Sequence, residues 1–315
     1  MRFLILGAGG LGGYYGGMLL KGGAEVTFLV RPRRAAQLAD RGLVIRDPNG
    51  DFRTQVKTLT ASDINDAFDV VLLACKAYDL DKAMDDVAPA VGAHTAILPV
   101  LNGINHITVL VDRFGTGRVL GGVSLVRTEL SSEGDIIRAE GSNLDKTVIG
   151  ELRGEPSTRC RGIQSALRSG GVSTTISENI VAEMWAKFCA FAANGSISTL
   201  TRARAGEIAA APAGPAFVES VFSECARIAA AEGYPPPREM GELVRAMYAR
   251  AGSPYAPSIL SDMERGRVTE GEYTIGDLVR RADRHGVEVP ILRAALCNLQ
   301  VHDARSSKET LGTQN

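Results

Sequence analysis

The sequence predicts an α/β domain built around a parallel sheet, followed by an all-helical domain. Three observations support this prediction. The N-terminus reads as a strand, a glycine-rich turn, a helix and a second strand. Short apolar runs typical of buried parallel strands recur at Asp69 to Cys75 and at Ala96 to Leu101. From Glu178 onward helical patterns replace strand patterns, so we place the domain boundary near Ser177 and predict domains 1-177 and 178-315.

The opening stretch has the pattern of a Rossmann-like dinucleotide-binding unit. Phe3 to Leu6 is an apolar run too short for a helix, and it ends in a G-x-G-x-x-G sequence. One glycine of such a turn allows the tight bend, one lets the backbone approach a pyrophosphate, and one lets the helix pack closely on the strand. The N–H groups at the start of the helix face the pyrophosphate. The predicted cofactor-binding residues of this turn are Gly7, Gly9, Gly10, Leu11 and Gly12.

The residue that follows the second strand, Glu25 to Val30, predicts which cofactor is bound. NAD-binding units have an acidic residue there, which accepts a hydrogen bond from the ribose 2′-hydroxyl. This chain has Arg31, with Arg33 and Arg34 just after it, and an arginine accommodates a 2′-phosphate. The pattern therefore favours NADP, and the alternative is that Arg31 is a solvated surface arginine.

Composition excludes several classes of protein. A chain of 315 residues exceeds the usual size of a single core, which favours two domains. A hydrophobic fraction of 45% and a net charge of -1 are typical of a soluble protein, and give no reason to expect nucleic acid or a membrane as partner. The five cysteines are widely spaced and form no C-x-x-C pair, which favours reduced thiols in the cytoplasm, and we predict no metal site.

Two polar residues follow consecutive strands of the predicted sheet. Lys76 comes after the strand that ends at Cys75, and Asn102 comes after Leu101. Ligands of open parallel sheets bind outside the carboxyl ends of the strands, so both are candidates for cofactor and substrate binding. The alternatives are an exposed strand-end lysine and a turn-forming asparagine before Gly103.

Two antiparallel strand pairs are predicted elsewhere in the first domain. Leu43 to Arg46 is expected to pair with Phe52 to Leu59 around the turn at residues 47–50. Val119 to Val126 is expected to form a hairpin with Asp135 to Ala139.

Two stretches of the helical half carry candidate chemistry. Lys187 lies within an apolar helix, where desolvation lowers the pKa of a lysine and makes it a useful acid near neutral pH. The alternative is that its ammonium extends to solvent. Thr269 and Glu270 precede a helix that ends at His285 and Gly286. Thr269 as a helix cap, with Glu270 favourable to the helix dipole, is the alternative to a catalytic Glu270.

Together these residues resemble the 2-dehydropantoate 2-reductase family, also called the ketopantoate reductases. The resemblance rests on seven motifs in a fixed order: G-x-G-x-x-G, Arg31, Cys75-Lys76-Ala77, Leu101-Asn102-Gly103, Trp185-x-Lys187, Thr269-Glu270 and residues 286–290. It implies an NADP-binding α/β domain, an all-helical domain and an active site in the cleft between them. It also implies that Lys187 is the catalytic lysine, assisted by Glu270. Lys76 and Asn102 match residues beside cofactor and substrate, and Ser258 matches a substrate-binding serine.

The sequence departs from the family where asparagines are usual. Phe191 and Gly195 replace two of them, with Asn194 one position early as a candidate substrate ligand, and Ile275 replaces a third. Loss of amides should favour a less polar substrate.

The cysteine pattern favours a cytoplasmic enzyme, and a homodimer is a candidate assembly. We expect NADPH-dependent reduction of a 2-oxo acid, in first place 2-dehydropantoate to pantoate in pantothenate biosynthesis. The alternatives are a relative that reduces another 2-oxo acid and a non-catalytic NADP-binding sensor.

Overall fold

The chain forms two compact units in the computed structural model, which describes residues 1–139 and 146–312. The first unit comprises Met1–Leu101 and His106–Glu183, and the second comprises Asn102–Asn105 and Met184–Asn315. The first unit contains sheets and helices, and the second is helical. The predicted fold class, an α/β dinucleotide-binding domain followed by an all-α domain, is confirmed. The boundary near Ser177 stays a prediction.

The first unit is organised around a five-stranded parallel sheet. The strands of the unit are β1 (Arg2–Leu6), β2 (Glu25–Leu29), β3 (Leu43–Arg46), β4 (Phe52–Thr54), β5 (Lys57–Leu59), β6 (Val70–Leu73), β7 (Ala96–Pro99), β8 (Leu120–Ser124), β9 (Thr128–Leu130), β10 (Ile136–Arg138), β11 (Thr147–Glu151) and β12 (Thr174–Ile176). The main sheet has the order β5-β2-β1-β6-β7. Every neighbouring pair in it is parallel, so all five carboxyl ends lie at one edge.

Both faces of this sheet are buried, which explains its continuous apolar runs. Successive side chains of a strand point to opposite faces. Phe3 and Ile5 of β1 accordingly belong to one apolar cluster, and Leu4 and Leu6 belong to another. Helices of the first unit are α1 (Gly10–Lys21), α2 (Pro32–Arg41), α3 (Leu80–Val87), α4 (Asn105–Phe114) and α5 (Thr158–Ser169). Hydrophobic burial on both faces therefore fixes the sheet in place.

Two smaller sheets correct the predicted strand pairs. The predicted strand Phe52 to Leu59 is two strands: β4 pairs with β3 as expected, whereas β5 adds to the main sheet beside β2. The predicted hairpin of Val119 to Val126 with Asp135 to Ala139 is wrong. Strand β8 pairs with β11 instead, and the partner of β10 in its hairpin is β9. A three-residue strand carries too little periodicity to reveal its partner from sequence.

The second unit consists of helices α6 to α12, of which α6 begins in the first unit. They are α6 (Ile180–Thr201), α7 (Ala205–Ala210), α8 (Gly214–Ala231), α9 (Arg238–Met247), α10 (Ser258–Glu264), α11 (Ile275–His285) and α12 (Pro290–Gly312). Helix α11 ends as predicted, with Gly286 in the left-handed conformation at φ +64°. Among the described residues, none of these helices combines the length and apolar character needed to cross a bilayer.

Candidate active site

The glycine turn has the geometry that its sequence predicts. Gly7 has φ +86°, which favours glycine, and its N–H donates to the Leu29 carbonyl oxygen at 2.9 Å. A Cβ on Gly12 would lie 2.3 Å from the carbonyl oxygen of Gly7, so only glycine allows α1 to approach the turn this closely. Gly9 precedes the helix, and Gly10 and Leu11 begin it. The first N–H groups of α1 therefore emerge beside the turn, where a pyrophosphate could accept from them.

Arg31 lies at the end of β2, immediately before α2. Its side chain is 75% exposed, and its Nη2 is 3.2 Å from Oδ1 of Asp79. Sequence reasoning did not assign Asp79 any role, because it is far from Arg31 in the chain. The guanidinium is thus both solvated and paired with a carboxylate at the edge of the sheet where ligands bind.

Arg34 supports the glycine turn from the neighbouring helix. Its Nε donates to the Ala8 carbonyl oxygen at 3.1 Å, and its Nη2 donates to the Gly134 carbonyl oxygen at 3.0 Å. Burial lowers the pKa of this guanidinium from its usual value, with Asp135 acting in the opposite direction. Arg34 therefore connects the turn to the β9–β10 hairpin. The sequence pattern grouped Arg34 with Arg31 and did not reveal this structural role.

Lys76 also lies at the carboxyl edge of the main sheet. It follows β6, which pairs with β1 on the side opposite β2. It directly precedes a short 3₁₀ helix, Ala77–Asp79. The segments that carry Arg31 and Lys76 therefore flank the glycine turn on its two sides.

Lys187 lies in the middle of α6, among buried neighbours that include Trp185 and Phe188. Its side chain retains partial solvent access. Protein atoms nevertheless surround it closely enough that desolvation lowers the pKa of its ammonium group to about 8. The charge of Glu270 acts in the opposite direction and favours the protonated form. This environment favours a titrating lysine over one that extends freely into water.

Glu270 brings Asn102 and Lys187 into one cluster within the helical unit. The Glu270 side chain is 4% exposed, and Nδ2 of Asn102 donates to its Oε2 at 3.4 Å. Gly103 allows this approach, because it has φ +86° and a Cβ there would lie 3.2 Å from the Tyr273 carbonyl oxygen. Asn102 follows β7 in the chain but groups with the helical unit. Glu270 thus accepts a hydrogen bond from Asn102, and its charge acts on the pKa of Lys187.

The last helix holds the segment that carries Glu270. Asp303 of α12 accepts hydrogen bonds from the N–H of Thr269 at 2.8 Å and from its hydroxyl at 3.0 Å. The hydroxyl of Thr274 donates to the Glu270 carbonyl oxygen at 2.7 Å. Thr269 therefore does not cap α11, which begins at Ile275. Sequence reasoning missed Asp303 because no local pattern links it to Thr269.

The predicted substrate residues lie in different settings. Ser258 is the exposed first residue of α10. Asn194 is 5% exposed, its Nδ2 lies 3.5 Å from Sδ of Met247, and its Oδ1 has no hydrogen-bond partner among the described residues. It follows Lys187 by two turns, or about 10 Å along the axis.

The residues that replace family asparagines also differ in exposure. Phe191 is one turn after Lys187 on the same helix face and is partly exposed. Ile275 is fully buried, and a Cβ on Gly195 would lie 3.2 Å from Cγ2 of Ile259 and 3.8 Å from Cδ1 of Ile275. Ile275 therefore packs in the core. Of these two apolar replacements, Phe191 retains solvent exposure and Ile275 does not.

The fold and these two sites define an oxidoreductase of the dinucleotide-binding type. The family model described as ketopantoate reductase PanE/ApbA matches residues 3–154, and its C-terminal counterpart matches residues 179–302. The chain belongs to the ketopantoate reductase family.

Individual relatives agree with this assignment. The chain is 35% identical to an uncharacterized oxidoreductase, YkpB, of Bacillus subtilis, over 96% of this chain and 99% of that one. It is 28% identical to a 2-dehydropantoate 2-reductase of Halobacterium salinarum, over 93% and 96% of the two chains. Its fold is similar to that of a D-mandelate dehydrogenase solved with NADH and anilino(oxo)acetate. That match has a TM-score of 0.88 and 21% identity, and covers 98% of this chain and all of the other.

Proposed function

We propose that this protein reduces a 2-oxo acid with NADPH, and that the substrate is 2-dehydropantoate, which gives pantoate for pantothenate biosynthesis. The observation that carries the proposal is the cluster of Lys187, Glu270 and Asn102, in which the pKa of the lysine is about 8. A proton donor of that pKa is suited to work near neutral pH.

The chain's residues have distinct tasks in this reaction. The bound nicotinamide cofactor supplies the hydride that the ketone carbon accepts. Lys187 hydrogen-bonds the ketone oxygen, stabilises the negative charge that develops there and donates the proton. Glu270 keeps Lys187 charged, and Asn102 holds the Glu270 carboxylate.

The glycine turn and its neighbours fit a dinucleotide. Gly12 leaves room for the helix at the turn, and the N-terminus of α1 offers N–H groups to the pyrophosphate. Arg31 would pair with the 2′-phosphate of NADPH, and Lys76 would contribute a second positive charge at the same sheet edge.

A second candidate is reduction of a less polar 2-oxo acid, and the observation that favours it is Phe191. This partly exposed ring lies one turn from Lys187, where the family usually has an amide. The non-catalytic sensor is disfavoured, because Lys187 and Glu270 are both present and electrostatically coupled.

Turnover on a panel of 2-oxo acids tests these candidates. The panel contains 2-dehydropantoate, 2-oxoisovalerate and phenylglyoxylate, and the readout is kcat/KM from the loss of NADPH absorbance. We expect the highest value for 2-dehydropantoate. A higher value for phenylglyoxylate would favour the second candidate, and NADPH binding without turnover of any acid would favour the sensor.

We also propose a cytoplasmic location and a homodimer. The spacing of the cysteines supports the first, and sedimentation of the purified protein tests the second.

A further inference from the structure

The Arg31–Asp79 ion pair joins the two segments that flank the glycine turn. Arg31 follows β2, and Asp79 ends the 3₁₀ helix that follows β6. Strand β1, which leads into the turn, lies between β2 and β6 in the sheet. The contact of 3.2 Å therefore links residues on both sides of the strand end where a dinucleotide would bind.

The two partners have opposite preferences for the ribose of the cofactor. In dinucleotide-binding folds a carboxylate near this position accepts from the 2′-hydroxyl of NAD, whereas an arginine accommodates the 2′-phosphate of NADP. A phosphate monoester carries nearly two negative charges at neutral pH. It would compete with Asp79 for the Arg31 guanidinium and would be repelled by the Asp79 carboxylate. The 2′-hydroxyl of NADH carries no charge, so it does not compete with Asp79 for Arg31 and is not repelled by the Asp79 carboxylate.

We infer that Asp79 is a cofactor-specificity residue, which weakens the binding of NADPH relative to NADH, so that the protein accepts both. This inference rests on the proposed function, because it requires a dinucleotide at the glycine turn. Asp79 occupies Arg31 with an internal anion, and the phosphorylated cofactor has to displace that anion. Arg31 favours NADP, and Asp79 reduces that preference.

The solvent exposure of Arg31 and Asp79 limits how strongly the Asp79 charge can affect the affinity for NADPH. The Arg31 side chain is 75% exposed and that of Asp79 is 40% exposed, so water and salt screen their interaction. We therefore expect a change of about two- to fivefold in affinity when the carboxylate is neutralised.

The test is the variant Asp79→Asn, with dissociation constants for NADPH and NADH measured by fluorescence titration on the full-length protein. Asparagine is as good as aspartate at the first position before a helix, and residue 79 precedes α3, so the helix is preserved. The matched control is Asp81→Asn, an exposed acidic residue in the first turn of α3. It removes the same charge from the same helix end.

We expect Asp79→Asn to lower the Kd of NADPH by about two- to fivefold and to leave the Kd of NADH nearly unchanged. The gain should shrink at high salt, and Asp81→Asn should alter neither Kd selectively. An unchanged ratio of the two Kd values, or an equal gain for both cofactors, would overturn the inference while leaving the proposed function intact. If the unmodified protein bound neither cofactor, the proposed function would fail as well.

Discussion

The pKa of Lys187 gives the proposed mechanism a measurable signature. If the ammonium form donates the proton, the rate follows the protonated fraction of a group whose pKa is about 8. About nine-tenths of the molecules would carry this proton at pH 7 and about one-tenth at pH 9. The value of kcat under saturating conditions should therefore fall about tenfold between pH 7 and pH 9.

The effect of the Glu270 charge on the pKa of Lys187 predicts how a substitution of Glu270 changes the pH profile. Desolvation lowers the pKa of Lys187, and the charge of Glu270 raises it. Glu270→Gln keeps the volume of the side chain and removes its charge, so the alkaline limb of the pH profile should move below pH 8. Turnover at pH 7 should decrease, because less of the lysine is protonated.

Three further variants complete the experiment. Lys187→Ala should lower kcat by a factor of roughly 10² to 10⁴ and leave NADPH binding unchanged. Lys187→Arg retains a charge that does not titrate in this range, so the alkaline limb should disappear. Lys82→Ala is the matched control, because Lys82 is exposed and pairs with Asp86 on α3, and kcat should not change. A profile that stays flat to pH 10, or an unchanged kcat for Lys187→Ala, would refute the assignment of Lys187 as proton donor.

Three other predictions follow from the described contacts. Arg31→Ala should raise the Kd of NADPH at least about tenfold and leave that of NADH nearly unchanged, because a charge-assisted hydrogen bond contributes about 1.5 to 3 kcal/mol. Equal NADPH titration curves for the unmodified protein and the variant would contradict this prediction. Asp303→Asn should reduce kcat and shift the alkaline limb as Glu270→Gln does, whereas a merely structural role would lower the melting temperature and leave the pH profile in place. Glu224→Ala should lower the free energy of unfolding by about 1 to 3 kcal/mol, because the Glu224 carboxylate accepts hydrogen bonds from the N–H groups of Ile291 and Leu292 at the start of α12. The control is Glu219→Ala, at an exposed site of α8, the helix that also carries Glu224. Denaturant titration should show a much smaller loss of stability for this control.

Sequence patterns were sufficient where the structure depends on neighbouring residues. The glycine turn is local: the φ of Gly7 and the close approach of Gly12 both arise within one strand–turn–helix unit. Buried parallel strands were also recognisable, because burial on both faces requires continuous apolar runs. The change to helical periodicity after Ile176 indicated that the second domain is all-helical, because periodicity also depends on residues that are close in the sequence.

Strand pairing and side-chain partnership depended on tertiary structure. Strand β5 has three residues, and its place beside β2 depends on the sheet that it joins. Ile275 looked like a pocket residue from its motif, yet packing against Gly195 places it in the core. Periodicity specifies which face of an element is apolar, but it does not specify which element covers that face.

By itself, the sequence determined the two fold classes and the residues that carry the candidate chemistry. Only the tertiary structure decided which of those residues meet. Asn102 meets Glu270, Asp303 holds Thr269, and Asp79 pairs with Arg31. The physical reason is that a charge acts on whatever lies within a few ångströms of it, at any separation along the chain. The pKa of Lys187 is therefore a property of the folded helical unit, because burial and Glu270 set it together.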